Sequence, residues 1–229
     1  MSRRTPVCGV DRFRDHWLVA TDLGPGRTRL HRAASFAAIL AMPDVSHVIV
    51  DVPVGLAIGG RRCDVEARRL LGERRSSVFP APIRAMFEAR DYADACARRA
   101  AIEGKKCSKQ SFAIMPIVRE VDASMTPELQ SRVREGHPEV SFAALNGGTP
   151  VRHSKRDEAG KQDRLRLLCE HFDDLDERIS AYAHRRAVVD ILDAYAMLWT
   201  ARRLREGTAG VLPAEPQYDE KGLRAEMVY

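Results

Sequence analysis

No apolar stretch in this 229-residue chain approaches the roughly 20 residues that span a bilayer, so a helical membrane protein is excluded. Cysteine is scarce: Cys8, Cys63, Cys96, Cys107 and Cys169 are an odd number with no C-x-x-C spacing. That argues against a disulfide framework and against a structural zinc site alike. Aromatic residues make up only 6%, too few for a base-stacking platform for single strands. No internal repeat, no low-complexity tract and no G-x-x-x-x-G-K-[ST] is found, so solenoids and P-loop ATPases are unsupported. The opening, MSRRTPVCGVD, runs straight into a strand-like segment and leaves no room for a signal peptide's apolar region. A cytoplasmic protein is the expectation.

What remains suits a soluble globular chain. Hydrophobic residues make up 45%, ample for one domain with an insertion. Lys and Arg number 37 against 32 Asp and Glu, a formal charge of +5. The excess is largely Arg, whose planar fork suits phosphate, so an anionic partner is one reading and an Arg-rich composition without function the other. Oligomeric state stays open, with a homodimer among the options.

Three β-favouring runs come first: Pro6–Asp11, Trp17–Thr21 and Thr28–Arg32. Their short connections predict an antiparallel meander. Ser35 has the character of an N-cap for a helix through Met42, stopped by Pro43. The apolar run His47–Asp51 predicts a buried parallel strand. Between about 61 and 126 there is little strand signal, and helices at Asp64–Leu71 and Tyr92–Glu103 end at Gly72 and Gly104, so a helical insertion is expected. A strand at Ser131–Glu135, helices at Lys161–Phe172 and about 186–205, a polar tail with Pro213 and Pro216, and a small strand in Gly222–Tyr229 complete the reading. The fold class is therefore α/β, a mixed sheet with flanking helices, whose ligands gather at the carboxyl ends of its parallel strands.

Several carboxylates occupy unusual places. Asp11 ends CGVD and Asp51 ends HVIVD, each after apolar strand residues where Asp is disfavoured. Asp11 could simply cap a turn; Asp51, apolar on both sides, calls for a nearby cation. Asp190 and Asp193 fall at i and i+3 of a strongly apolar helix, on adjacent turns of one face. Two like charges there oppose each other unless a divalent metal binds, the alternative being a solvated helix edge. Oxygen ligands without His or Cys suit Mg²⁺ or Mn²⁺.

GVD, DVPVGL, RRCDVEARRLLG, SSVFPAPIR, EGHPEVSF and DILDAYA, in this order, resemble the family called domain of unknown function four-twenty-nine, from Gly9 to Tyr229. That family is regarded as predicted nucleases with an RNase H-like fold. D-x-x-D-A-x-A at Asp190–Ala196 is also similar to the last helix of Holliday-junction resolvases. The resemblance implies an RNase H-like five-stranded sheet, a metal-dependent hydrolase acting on DNA or RNA, and Asp11, Asp51, Asp190 and Asp193 as metal-binding carboxylates.

Two further groups are candidates. Glu139, in His137-Pro138-Glu139, could be an added metal ligand or a helix cap, and His137 a base or phosphate contact. Arg61, Arg62, Arg68, Arg69, Arg75 and Arg84 could track phosphates, or Arg68 could simply pair with Asp64 at i, i+4 and the run be a solvated face. Lys155 is one of several further basic residues without a pattern. The segment Thr21–Thr28 has a kinase-like D-x-G flavour, but its spacing is wrong and Pro25 lacks an N–H, so it reads as a hairpin turn. The leading expectation is a metal-dependent nuclease. A binding module of the same fold that lost turnover and a phosphotransferase on the related kinase core are the alternatives.

Overall fold

The structure, a computed structural model, describes residues 5–182 and 184–229. The first four residues, on which the reading of the N-terminus partly rests, lie outside the described residues. Along the chain the elements run β1 (Val7–Phe13), β2 (His16–Asp22), β3 (Thr28–Ala33), α1 (Phe36–Leu40), β4 (His47–Val50), α2 (Arg62–Leu71), α3 (Tyr92–Glu103), α4 (Lys109–Ser124), β5 (Val133–Glu135), α5 (Pro138–Leu145), α6 (Glu158–Cys169), α7 (Leu175–Ala181), α8 (Val188–Arg205), β6 (Val211–Tyr218) and β7 (Arg224–Val228). Among the described residues no helix is long and apolar enough to cross a membrane.

The backbone divides into two compact units. The first holds the chain up to Asp51, Arg132–Gly210 and Val228–Tyr229; the second holds Val52–Ser131 and Val211–Met227. The insertion expected at 61–126 is thus a larger body that also recruits a C-terminal segment.

The first unit is an α/β structure around a five-stranded sheet of order β3-β2-β1-β4-β5. β1, β2 and β3 are the antiparallel meander, and β4 and β5 add in parallel to β1. A two-residue turn at Arg14-Asp15, with Arg14 at φ 54°, lets Phe13 pair with His16. The second turn is closed by Leu23 N donating to Arg27 O and Arg27 N to Gly24 O, so the Thr21–Thr28 segment is the expected hairpin connection. Ser35 caps α1 by accepting from Ala38 N at 3.2 Å. Parallel pairing buries β4 fully from Val48 to Val50.

α8 lies against β1, β2 and β4 and is buried continuously from Ile191 to Ala201. A helix apolar on all sides is stable only inside a core. Its approach to the sheet is set by glycine. A Cβ placed on Gly9 would stand 2.0 Å from Leu198 N and 2.2 Å from Ala194 O, so helix and strand backbones nearly touch there. At Gly136, just past β5, a Cβ would meet Ile49 Cγ2 at 2.6 Å and Met197 Sδ at 2.7 Å.

The second unit contains α2, α3, α4 and the β6–β7 ribbon. α4 was not resolved in the sequence beyond a general helical character. It runs through Pro116, capped by Ser108 and held by buried Met115, Val118 and Val121. β6 replaces the expected polar tail: Pro213 and Pro216 are tolerated in a ribbon whose strands have one partner each. All five cysteines are free, as the spacing implied, although Cys96 and Cys107 Sγ lie 3.3 Å apart in the core of this unit.

The glycine contact makes a direct prediction. Gly9→Ala must push α8 off the sheet, since backbone atoms cannot move aside as a flexible side chain would. We expect a loss of about 3 kcal/mol or more in urea unfolding. A change below about 0.5 kcal/mol would contradict the close approach.

Candidate functional site

Gly9 on β1 and Ile49 on β4 are partners in the parallel ladder. Side chains alternate along a strand, so Asp11 and Asp51, each two residues further on, share the face that packs on α8. Val10 and Val50, themselves partners, face the other way into core. Asp51 N donates to Val10 O at 3.1 Å, which extends the ladder by one step and seats Asp51 beside Asp11. α8 enters over the same end of the sheet with Asp190 in its first turn and Asp193 one turn on. Carboxylates are favoured there by the helix dipole. The structure therefore brings Asp11, Asp51, Asp190 and Asp193 together from β1, the end of β4 and α8.

Burial and mutual repulsion dominate their electrostatics. Asp11 is in mid-strand rather than at a strand end and is 7% exposed; Asp193 is 2% exposed. Desolvation pushes the Asp11 carboxyl well above its ordinary range, and the charges of Asp51 and Asp193 push it further. Asp51 is raised by burial, against the opposing pull of His137 and Lys155. Asp190 is lifted to about 6, by burial first and by Asp193 second.

The counter-charge is Lys155. Its Nζ donates to Asp193 Oδ2 at 2.6 Å, and its side chain is 37% exposed. The attraction of Asp193, against the cost of burial and helped by Asp51 and Asp11, holds this ammonium firmly protonated. Asp193 Oδ1, the other oxygen, is buried with no hydrogen-bond partner.

Glu139 holds the segment that delivers Lys155. It sits in the first turn of α5, 3% exposed, and accepts 2.8 Å bonds at both oxygens from Arg164 Nη2. Arg164, on α6 and 1% exposed, donates from Nη1 to His153 O at 3.1 Å and to Gly160 O at 2.7 Å. These two carbonyls flank Lys155, so one guanidinium clamps both sides of its loop. Gly160 allows the closure: a Cβ there would lie 1.9 Å from Ser154 O. Glu139 is thus the partner of a buried Arg rather than a helix cap, and its charge is near enough to add to the effect of burial on Asp51. His137 precedes α5 half-buried, close enough to Asp51 to offset part of its burial.

Four carboxylates with a buried oxygen lacking a donor are the chemistry of a hard divalent cation's site, and in donor type these residues fit Mg²⁺ or Mn²⁺. Among the described residues no three His, Cys, Asp or Glu side chains are disposed to hold one ion as they stand. The ammonium of Lys155 supplies positive charge at the site.

The six arginines lie in the second unit and divide into two kinds. Arg62, Arg69 and Arg75 are exposed. Arg84 is bound to Asp122 at 2.7 Å and to Asp219 and Glu220, and Arg61 is buried against Asp64 at 3.3 Å. Asp64 therefore pairs with Arg61 and not with Arg68, whose Nε donates to Val78 O at 3.0 Å. Arg61 and Arg84 stabilise their own unit rather than offer a free fork to phosphate.

A family model described as "Protein of unknown function (DUF429)" matches residues 9–218. The chain belongs to the DUF429 family. No curated protein and no solved structure matches it. The match covers all four aspartates of this DUF429 chain, together with Lys155 and the Glu139–Arg164 pair.

In this DUF429 protein Lys155 and Arg164, which the sequence offers only as basic residues without a pattern, are the ones whose roles sequence reasoning missed. Lys155 lies in a polar segment without periodicity, and its partner is 38 positions away. Arg164 sits in an ordinary helical pattern, and only its near-complete burial singles it out. The charge of Glu139 and the cation it needs are 25 residues apart, a distance that no local rule bridges.

The raised Asp190 carboxyl fixes the sign of a pH effect. Its ordinary value is 3.8 and its folded value about 6, so the folded chain binds this proton more tightly. The associated stability is present below about pH 3.8 and is lost as pH rises towards 6. Asp190→Asn removes that loss. Melting in chelator should show the variant gaining on wild type between pH 4 and 6 and then holding its advantage. A difference that is flat or shrinks across this window would count against a crowded carboxylate cluster.

Proposed function

We propose that this chain is a metal-dependent nuclease that hydrolyses phosphodiester bonds of nucleic acid, on a sheet of the RNase H-like type. The observation that carries the reading is the convergence of Asp11, Asp51, Asp190 and Asp193, with Asp193 Oδ1 buried and lacking a donor. The mixed sheet, a meander continued by parallel strands, is compatible with that fold type, and the carboxylates stand where α/β sheets gather ligands.

Asp11 and Asp51, side by side on adjacent strands, would offer oxygens to Mg²⁺ or Mn²⁺ from below, and Asp193 and Asp190 from the helix above. When bound, such an ion supplies Lewis-acid stabilisation of negative charge on a phosphoryl oxygen. The chain's own groups account for the rest. Lys155 cancels one carboxylate charge, so the site repels an incoming phosphodiester less, and its ammonium is a point charge that phosphate oxygens can approach. His137, close to Asp51, is an imidazole that could take or give a proton. Exposed Arg62, Arg69 and Arg75 would supply sequence-independent phosphate contacts. We place this activity in the cytoplasm.

The test is a substrate panel of duplex, single strand, RNA–DNA hybrid and four-way junction, incubated with Mg²⁺ or Mn²⁺. Scission of at least one member should require the metal and fall about a hundredfold or more in Asp11→Asn. No scission of any substrate, or scission undiminished in the variant, would overturn the reading. Nucleotide consumption without strand breakage would favour the phosphotransferase alternative.

A further inference from the structure

We propose that the cleft lined by α2, α3 and the segment 105–108 binds a phosphate monoester. It lies wholly in the second unit, which carries none of the four aspartates, so the proposal does not rest on the nuclease reading.

The cleft has a volume of about 310 Å³, at the small end for ligand sites. Its charged lining is five cations, Arg61, Arg68, Arg99, Lys105 and Lys106, against two carboxylates, Asp64 and Glu103. Arg99 decides the chemistry. It is 3% exposed, and its Nε donates to Glu103 Oε2 at 2.7 Å. Its two terminal nitrogens have no hydrogen-bond partner among the described residues. Neither of these nitrogens is fully buried, so the small exposed part of Arg99 includes an Nη edge that has no protein acceptor and lies on the wall of the cavity.

Glu103 does not quench this cation by turning towards it. It also accepts from Gly59 N at 2.8 Å and lies 3.6 Å from Lys105 Nζ, so its oxygens are fixed. Burial would raise its carboxyl, but the bonds from Arg99 and Gly59 hold it below its ordinary value, and it stays charged. Glu103 therefore orients Arg99 through Nε and leaves the outer edge facing the cleft. Arg68 repeats the pattern: Nε is spent on Val78 O, and Nη2 is buried with no partner. Lys105 and Lys106 are exposed.

The open edge of Arg99, an unpaired nitrogen of Arg68, two further ammonium groups and an excess of three positive charges match a phosphate dianion better than a carboxylate. The opposite wall is short and apolar, from Pro80 through Ile83 with Ala57. Among the described residues no aromatic side chain lines the cleft, so none of them is there to stack a base. The geometry suits the end of a chain or a small ester: a dianionic head on the arginines and a short apolar body against the prolines.

The experiment is isothermal titration of the full chain with inorganic phosphate, butyl phosphate, butyrate and a trinucleotide with and without a 5′-phosphate. Butyl phosphate should bind saturably at one per chain. Binding should weaken at least tenfold in Arg99→Gln and several-fold in Lys105→Glu, an exposed position whose substitution leaves the core untouched. Tighter binding of the 5′-phosphorylated trinucleotide than of butyl phosphate supports the proposal and names nucleic-acid ends as the source of the monoester. No saturable binding of any phosphate ester, or butyrate binding as tightly as butyl phosphate, would overturn it. So would unchanged affinity in Lys105→Glu, which decides the matter if Arg99→Gln does not fold.

Discussion

Lys155 brings its charge to a place where burial already drives Asp11, Asp51 and Asp190 towards protonation, and its 2.6 Å bond to Asp193 is the interaction on which the rest of the site depends. Buried carboxylates without a cation would lose their charge or separate. The ammonium is itself held in place at several removes. Its loop is tied at His153 and Gly160 by Arg164, and Arg164 is fixed by both oxygens of Glu139. A buried ion pair is a poor source of stability by itself, but it is an effective way to specify one geometry. Here the specified geometry is a single lysine aimed at a single helix.

The aspartates owe their convergence to backbone rules rather than to their own charges. Strand periodicity puts Asp11 and Asp51 on the face of Gly9 and Ile49, and parallel register sets them side by side. The missing Cβ at Gly9 then lets α8 settle close enough for Asp190 and Asp193 to join them. The same apolar helix that anchors the core thus carries two negative charges in its first two turns. This arrangement spends stability on a local constellation, as functional sites commonly do.

Much of the first unit, and two helix ends of the second, were legible from residue order. The meander, the Ser35 cap, the buried β4 and the helix stops at Gly72 and Gly104 all follow from local signals, and local signals suffice where an element's reason for existing lies within a few residues. The aspartates stood out because Asp is out of place after Val-rich strand segments and on an apolar helix. The failures share a different cause. α4 continues through Pro116 because tertiary burial outweighs one lost hydrogen bond, and β6 accepts Pro213 and Pro216 because its ribbon leaves donors that no neighbour needs. Glu139 is bound to Arg164, and Arg84 to Asp122 and Asp219, pairings that residue order does not reveal. Charge is readable in a sequence, but its partner is a property of the fold.

Lys155 neutralises part of a carboxylate cluster that we propose holds a divalent cation. Lys155→Met tests this most directly, because it removes the charge and keeps much of the apolar stem. In chelator the variant should melt below wild type, since four carboxylates are left to repel one another. Mn²⁺ should then raise its melting temperature by more than it raises that of wild type, because a bound ion now replaces the missing cation as well as adding its own linkage. A variant that melts like wild type in chelator and responds to Mn²⁺ no more strongly would contradict the account.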